Sequence, residues 1–92
     1  MKLSGIGKPA GCKLIRFDAS IENGIVERLS VRGDFFAIPE EGFEKVEARL
    51  KGMRLEELAA RFDALCAEEG VQCFGISGVG LAETIRGAID GA

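Results

Sequence analysis

From Cys12 to Ile21 the chain alternates with a period of two. Ile15, Phe17, Ala19 and Ile21 fall on one side, and Leu14, Arg16, Asp18 and Ser20 on the other. That is the pattern of a half-buried strand. Glu22-Asn23-Gly24 reads as a turn, and the alternation resumes from Ile25 to Arg32 through Ile25, Leu29 and Val31. The register follows from which pairings keep apolar with apolar. A two-residue Asn-Gly loop sets Phe17 against Ser30 and Ala19 against Arg28. A three-residue loop, residues 22–24, sets Ile21 against Ile25, Phe17 against Leu29 and Ile15 against Val31. A one-residue slip turns every side chain over, so the three-residue loop is predicted, with Gly24 at positive φ. The outer face is then polar, with Asp18 opposite Arg28, and Arg16 and Arg32 nearby.

After Pro39 the period changes to three and four. Phe43, Val46 and Leu50 predict a helix over residues 39–51, with Glu40 and Glu41 suiting its positive start and Gly52 its stop. Leu55, Leu58, Ala59, Phe62, Leu65 and Cys66 predict a second helix over 55–69, ended by Gly70. Leu81, Ala82, Ile85, Ala88 and Ile89 predict a third over 78–90, with Ser77 as its N-cap. Residues 71–76 fit either a third strand or an extended connection. Residues 1–11, rich in Gly, Pro and Lys, read as an irregular lead-in to the hairpin region, 12–36. The expected architecture is one α+β domain over 1–92, in two layers: a small antiparallel sheet of two or three strands, with about three helices on one face.

The 92 residues suit a single domain. Residues 1–33 hold six Lys/Arg against three Asp/Glu, and the remainder six against twelve, so the surface is polarised. Neither part has the basic run with interleaved aromatics that nucleic acid requires. No apolar stretch has the length of a membrane span or a signal segment, and the three cysteines at irregular spacing do not form a disulfide framework. The reading is a cytoplasmic protein. The chain has no His, Tyr or Trp. Ser–His–Asp and Cys–His schemes and His-ligated zinc are therefore excluded, and no catalytic or metal-ligating residue is assigned.

Four features invite a chemical reading. Gly75-Ile-Ser-Gly78-Val-Gly80 opens a helix but matches neither a P-loop nor a dinucleotide fingerprint, and it reads better as a flexible helix entry. Cys66 lies on an apolar stripe and reads as core, whereas Cys12 and Cys73 are less clearly placed. The glutamate-rich helix faces read as solvated, with pairs such as Glu41 and Lys45. In Gly33-Asp34-Phe35-Phe36-Ala37-Ile38-Pro39, adjacent phenylalanines on extended backbone cannot share a side. Strand parity sends Phe35 to the core and Phe36 outward, either to cover a sheet edge or the start of the first helix, or to anchor a partner.

Lys13-Leu14-Ile15-Arg16-Phe17-Asp18, the Glu22-Asn23-Gly24 turn, Gly33-Asp34-Phe35-Phe36 and Pro39-Glu40-Glu41 together resemble the C-terminal domain of lipoate–protein ligases. The resemblance continues through Leu50-Lys51-Gly52, Leu55-Glu56-Glu57-Leu58 and Gly75-Ile76-Ser77, and so covers nearly the whole chain. The family's Lys-x-Pro-Gly-Gly-Lys lead-in is matched at Lys8, Gly11 and Lys13, but Ala10 and Cys12 replace Pro and Gly. Gly78-Val79-Gly80 stands where Pro and acidic residues are usual.

The resemblance implies a fold shared with the SufE and NifU scaffold proteins. It also implies a non-catalytic accessory subunit, made as a separate chain. Such a subunit works with a large catalytic subunit in forming lipoyl-AMP before transfer to lipoyl-acceptor domains. ATP and lipoate, with Mg, would sit in the large subunit, and nothing would bind this chain alone. Asp34, Phe35, Phe36 and Pro39 are then the candidate partner interface. Lys8, Lys13, Arg16, Arg28 and Arg32 are candidates for contact with phosphates or with the large subunit, against the alternative of a solvated face. The rival readings are a sulfur-acceptor or iron–sulfur scaffold module, which needs an exposed, activated cysteine, and an interaction domain unconnected with lipoate.

Overall fold

The computed structural model describes residues 1–91. The chain opens on a strand, β1 (Lys2–Gly7), where the sequence predicts an irregular lead-in. β1 pairs antiparallel with β2 (Ile15–Glu22), Gly5 against Phe17 and Gly7 against Ile15. Two of its three inward positions are glycines, which hides the strand from a hydrophobicity pattern. The glycines are required there. A Cβ on Gly5 would lie 2.9 Å from the Phe17 ring and 3.0 Å from Ala88, and one on Gly7 would lie 3.2 Å from Thr84.

β2 turns into β3 (Ile25–Gly33), but not through the predicted three-residue loop. Glu22 pairs with Ile25, so the loop has two residues, Asn23 (φ 52°) and Gly24 (φ 74°). Both are left-handed, as the tight hairpin turn that matches strand twist requires. The register then shifts after Ile21↔Val26, because Ser20 pairs with Arg28 and Glu27 is left over as a bulge. Beyond it Phe17 faces Val31, Ala19 faces Leu29, and Asp18 faces Ser30 rather than Arg28. The bulge restores the parity that a plain two-residue loop would lose. Ile15, Phe17, Ala19, Ile21, Leu29 and Val31 are all buried on one face, and Val26 takes the inward place predicted for Ile25.

A short strand, β4 (Phe36–Ile38), leads into α1 (Glu40–Arg49), which is N-capped by Pro39. β5 (Met53–Arg54) adds to the start of β3, giving a four-stranded antiparallel sheet in the order β1-β2-β3-β5 instead of two or three strands. A 3-10 turn, Leu55–Glu57, enters α2 (Leu58–Glu68). The ambiguous 71–76 segment holds a strand, β6 (Gln72–Phe74), which pairs antiparallel with β4 in a separate ribbon. α3 (Gly78–Asp90) closes the layer, with the Ser77 hydroxyl accepting from the Gly80 N–H at 3.1 Å as predicted for an N-cap. The fold is thus α+β, a sheet backed by three helices.

Val26, Val46, Leu50, Leu58, Phe62, Leu65, Leu81 and Ile85 are completely buried between the layers. Phe43 sits edge-on to Phe62 at 6.0 Å, and Phe35 tilts against Phe43 at 5.6 Å. Phe35, predicted as buried, is only half-buried because it packs at the margin of this cluster. The predicted Glu41–Lys45 pair is absent from the ion pairs of the described residues. Instead Arg49 reaches across to Glu68 (3.3 Å) at the end of α2 and to Glu69 (3.2 Å) just past it.

The helix glycines separate cleanly in their tolerance. A Cβ on Gly78 would run into the Ala59 carbonyl of α2, whereas one on Gly87 meets nothing within 4 Å. Gly78→Ala should therefore lower stability by about 2 kcal/mol through overpacking. Gly87→Ala should raise it by roughly 0.5–1 kcal/mol through helix propensity. Urea midpoints check both; equal shifts would show that α3 does not rest on the α2 backbone.

Candidate partner interface

β4 and β6 form a short two-stranded sheet apart from the main one, and their alternation sorts side chains sharply. Ala37 and Cys73 pair on the inner side and pack against the core. On the outer side Phe36, opposite Phe74, is 69 % exposed, Ile38 58 % and Phe74 54 %. Strand parity predicts Phe36 outward, and it is. Little of the ring is covered, so Phe36 does not lie flat over a sheet edge or over the start of α1. Ile38 and Phe74 join it without having been singled out. The signal for Phe74 is the alternation of Val71 and Cys73 against Gln72 and Phe74, inside a segment that also fits a connection.

Beside the ribbon runs a groove of about 690 Å³ between the end of β3 and α1, lined among others by Gly33, Phe35, Phe36, Ile38, Glu44 and Glu47. Glu47 closes its floor. Its Oε2 accepts the Val31 N–H at 2.6 Å, so a carboxylate occupies the side of β3 that no strand covers. Burial raises the Glu47 carboxyl above the usual range, against the lowering effect of that hydrogen bond; Glu44 adds to the rise and Arg32 opposes it. Asp34 and Pro39 flank the ribbon and are exposed.

The basic candidates do not form one cluster. Arg16 and Arg32 are direct cross-strand partners on the open face of the sheet, in a row with Ile6. Arg28 stands two rows away, beside Ser20 and Lys2, and the predicted Asp18–Arg28 pair does not form. Lys8 follows the end of β1, and the Lys13 N–H donates to the Gly75 carbonyl at 2.8 Å. Among the described residues none of these five makes an ion pair within 4.0 Å.

The other features weighed for chemistry are engaged within the fold. At the start of α3 the Asp63 carboxylate accepts the Gly78 N–H at 2.9 Å and the Ser77 hydroxyl accepts that of Gly80. Cys12 is buried with its Sγ 3.7 Å from the Ser77 hydroxyl, and Cys66 lies 3.6 Å from Cys73, sulfur to sulfur. Burial, with the Cys73 contact, pushes the Cys66 thiol up to about 12, and burial raises Cys73 as well. Raised in this way, Cys66 and Cys73 are poor nucleophiles. The described residues hold no cluster of three or more metal-ligating side chains, and no helix among them is long and apolar enough to cross a membrane.

The chain is therefore a two-layer α+β domain whose most distinctive surface is an exposed aromatic ribbon. No family model matches the sequence, nor does any curated protein. In fold it is similar to a chain from the structural analysis of an archaeal lipoylation system, a bipartite lipoate protein ligase and its E2 lipoyl domain from Thermoplasma acidophilum. The TM-score is 0.75 at 23 % identity, and the match covers 94 % of this chain and 96 % of that one.

The raised Glu47 carboxyl fixes the sign of a pH effect. Its contribution to stability is full below the unfolded value and is lost as pH rises through the folded one. Glu47→Gln keeps an acceptor for Val31 and removes the charge. It should raise the urea midpoint near neutral pH and match the parent below about pH 4. An unchanged midpoint across the range would show that the carboxylate is not desolvated in the folded chain.

Proposed function

We propose that this chain is the smaller, non-catalytic part of a two-part lipoate–protein ligase. It would act with a separate large subunit in ATP-dependent formation of lipoyl-AMP. The observation that carries the reading is the end-to-end likeness in fold to a chain from the structural analysis of a bipartite ligase and its E2 lipoyl domain. The sequence resemblance supports it, since its most specific segment, Gly33-Asp34-Phe35-Phe36, is the passage from β3 into the exposed ribbon.

The inventory of side chains agrees with the assignment. A domain that closes over another subunit's site needs no nucleophile or base of its own; it excludes water and positions the phosphates. ATP and lipoate, with Mg, would be held by the large subunit. The ribbon of Phe36, Ile38 and Phe74, with Asp34, Phe35 and Pro39 around it, is the proposed seam. Arg16 and Arg32, with Lys8, Lys13 and Arg28 on the same third of the sequence, are proposed to face phosphates or acidic residues of the large subunit. The sulfur-carrier rival is disfavoured by its own requirement, because Cys12 and Cys66 are buried and half-buried Cys73 has its thiol raised.

Pyrophosphate release tests the reading with each subunit alone and with both. This chain alone should release none, and its addition should restore release by the large subunit. Phe36→Ala should weaken association roughly 30-fold, as loss of an aromatic anchor worth about 2 kcal/mol does. Transfer from preformed lipoyl-AMP should persist. Pyrophosphate release by this chain alone would make it an enzyme. A lipoyl mass gained on one of its own lysines would make it an acceptor instead of a subunit.

A further inference from the structure

The two edges of the main sheet are treated differently. On β3 the exposed side is guarded, by β5 at Ile25 and Val26 and by the Glu47 carboxylate on the Val31 N–H. The β1 edge has no such guard. Ile21 donates its N–H to the Met1 carbonyl at 2.9 Å, so residues 3, 5 and 7 bond inward to β2. By antiparallel alternation the N–H and C=O groups of Lys2, Ser4 and Ile6 point away from the sheet. No proline or bulge interrupts β1, and Ile6 is 59 % exposed. A groove of about 680 Å³ runs along this edge between β1 and α3, with Gly5, Gly7, Thr84, Gly87 and Ala88 in its walls.

We infer that β1 is a strand-addition site for an extended segment of a partner polypeptide, apolar at alternate residues and acidic at the others. Main-chain hydrogen bonds to Lys2, Ser4 and Ile6 supply the pairing, and alternate side chains supply the selection. The inward residues enter the β1–α3 groove. The outward residues extend the open face of the sheet, where the rows Lys2–Ser20–Arg28 and Ile6–Arg16–Arg32 set four cations against Asp18 and the bulge residue Glu27. Glu22, at the end of β2, is already taken by the Met1 amino group. An acidic strand complements that face. A second copy of this chain does not, because edge-to-edge pairing would join one cationic face to another. Gly87 fits the same picture. It is a mid-helix glycine, exposed, with nothing within 4 Å of a Cβ, so no neighbour in this chain requires it. A strand backbone laid against α3 does. The inference stands on the edge itself and holds whether or not the partner is a lipoate ligase.

The test uses the isotope-labelled chain and synthetic peptides of about ten residues, the length of a strand. One alternates glutamate with valine, one lysine with valine, and a third is the glutamate peptide with a central proline. Saturating glutamate–valine peptide should slow amide exchange at Lys2, Ser4 and Ile6 by about tenfold or more. Salt should weaken the effect, and the lysine and proline peptides should not produce it. Ser4→Pro removes an outward N–H without touching the β1–β2 pairing, and Gly87→Leu fills the groove from a helix that accepts it. Each should abolish binding while thermal unfolding of the chain is retained. Equal binding of the lysine peptide, protection at the β4–β6 ribbon in place of β1, or no protection at all would overturn the inference. So would a dimer of the chain that Ser4→Pro splits.

Discussion

A one-residue bulge at Glu27 decides which way the side chains of the central hairpin face. The Asn23-Gly24 turn has the twist that two antiparallel strands need, but carried on without interruption it would place polar residues of β3 opposite apolar residues of β2. The extra residue turns β3 over by one position. It sends Leu29 and Val31 to the side of Phe17 and Ala19, so the helices meet one continuous apolar face. It also leaves Arg28 and Arg32 with Arg16 on the other side, which no helix covers. The core and the basic face are two consequences of the same local event.

The helices were legible because their periodicity is long and each has a physical stop or start. Gly70 takes a positive φ after α2, Ser77 caps α3, and Pro39 precedes α1. The faces of the hairpin were legible from alternation alone, but its register was not. The three-residue loop and the bulged two-residue turn differ by an even shift over residues 15–20, so both bury the same side chains there, and burial cannot separate them. β1 was illegible for another reason. Its inward positions are Leu3, Gly5 and Gly7, and glycine carries no hydrophobic signal even where close packing against Phe17, Thr84 and Ala88 demands it.

Half of the candidate interface could be read in the same way. Phe36 was found because two phenylalanines in succession must part, and Phe35 does turn toward Phe43 while Phe36 faces out. Phe74 is harder to read, since the alternation over residues 71–74 is short and fits a connection equally well, and what fixes it as a strand is pairing with β4, 38 residues earlier in the chain. The same pairing explains why the surface is built as a ribbon: Ala37 and Cys73 tie it to the core, which holds the two outer rings at a fixed place on the molecule. Rigid aromatic area of this kind loses little conformational entropy when a partner covers it. The proposed role is accordingly one of contact, made through this ribbon.

Hydrogen exchange of this chain, free and mixed with the large subunit of a two-part lipoate ligase, tests that claim most directly. Amides of Phe36–Ile38 and Gln72–Phe74 should become protected in the complex, with the deepest change at the ribbon. Stimulation of lipoyl-AMP formation with no change in exchange at those six residues would contradict it, since the chain would then be acting through some other surface.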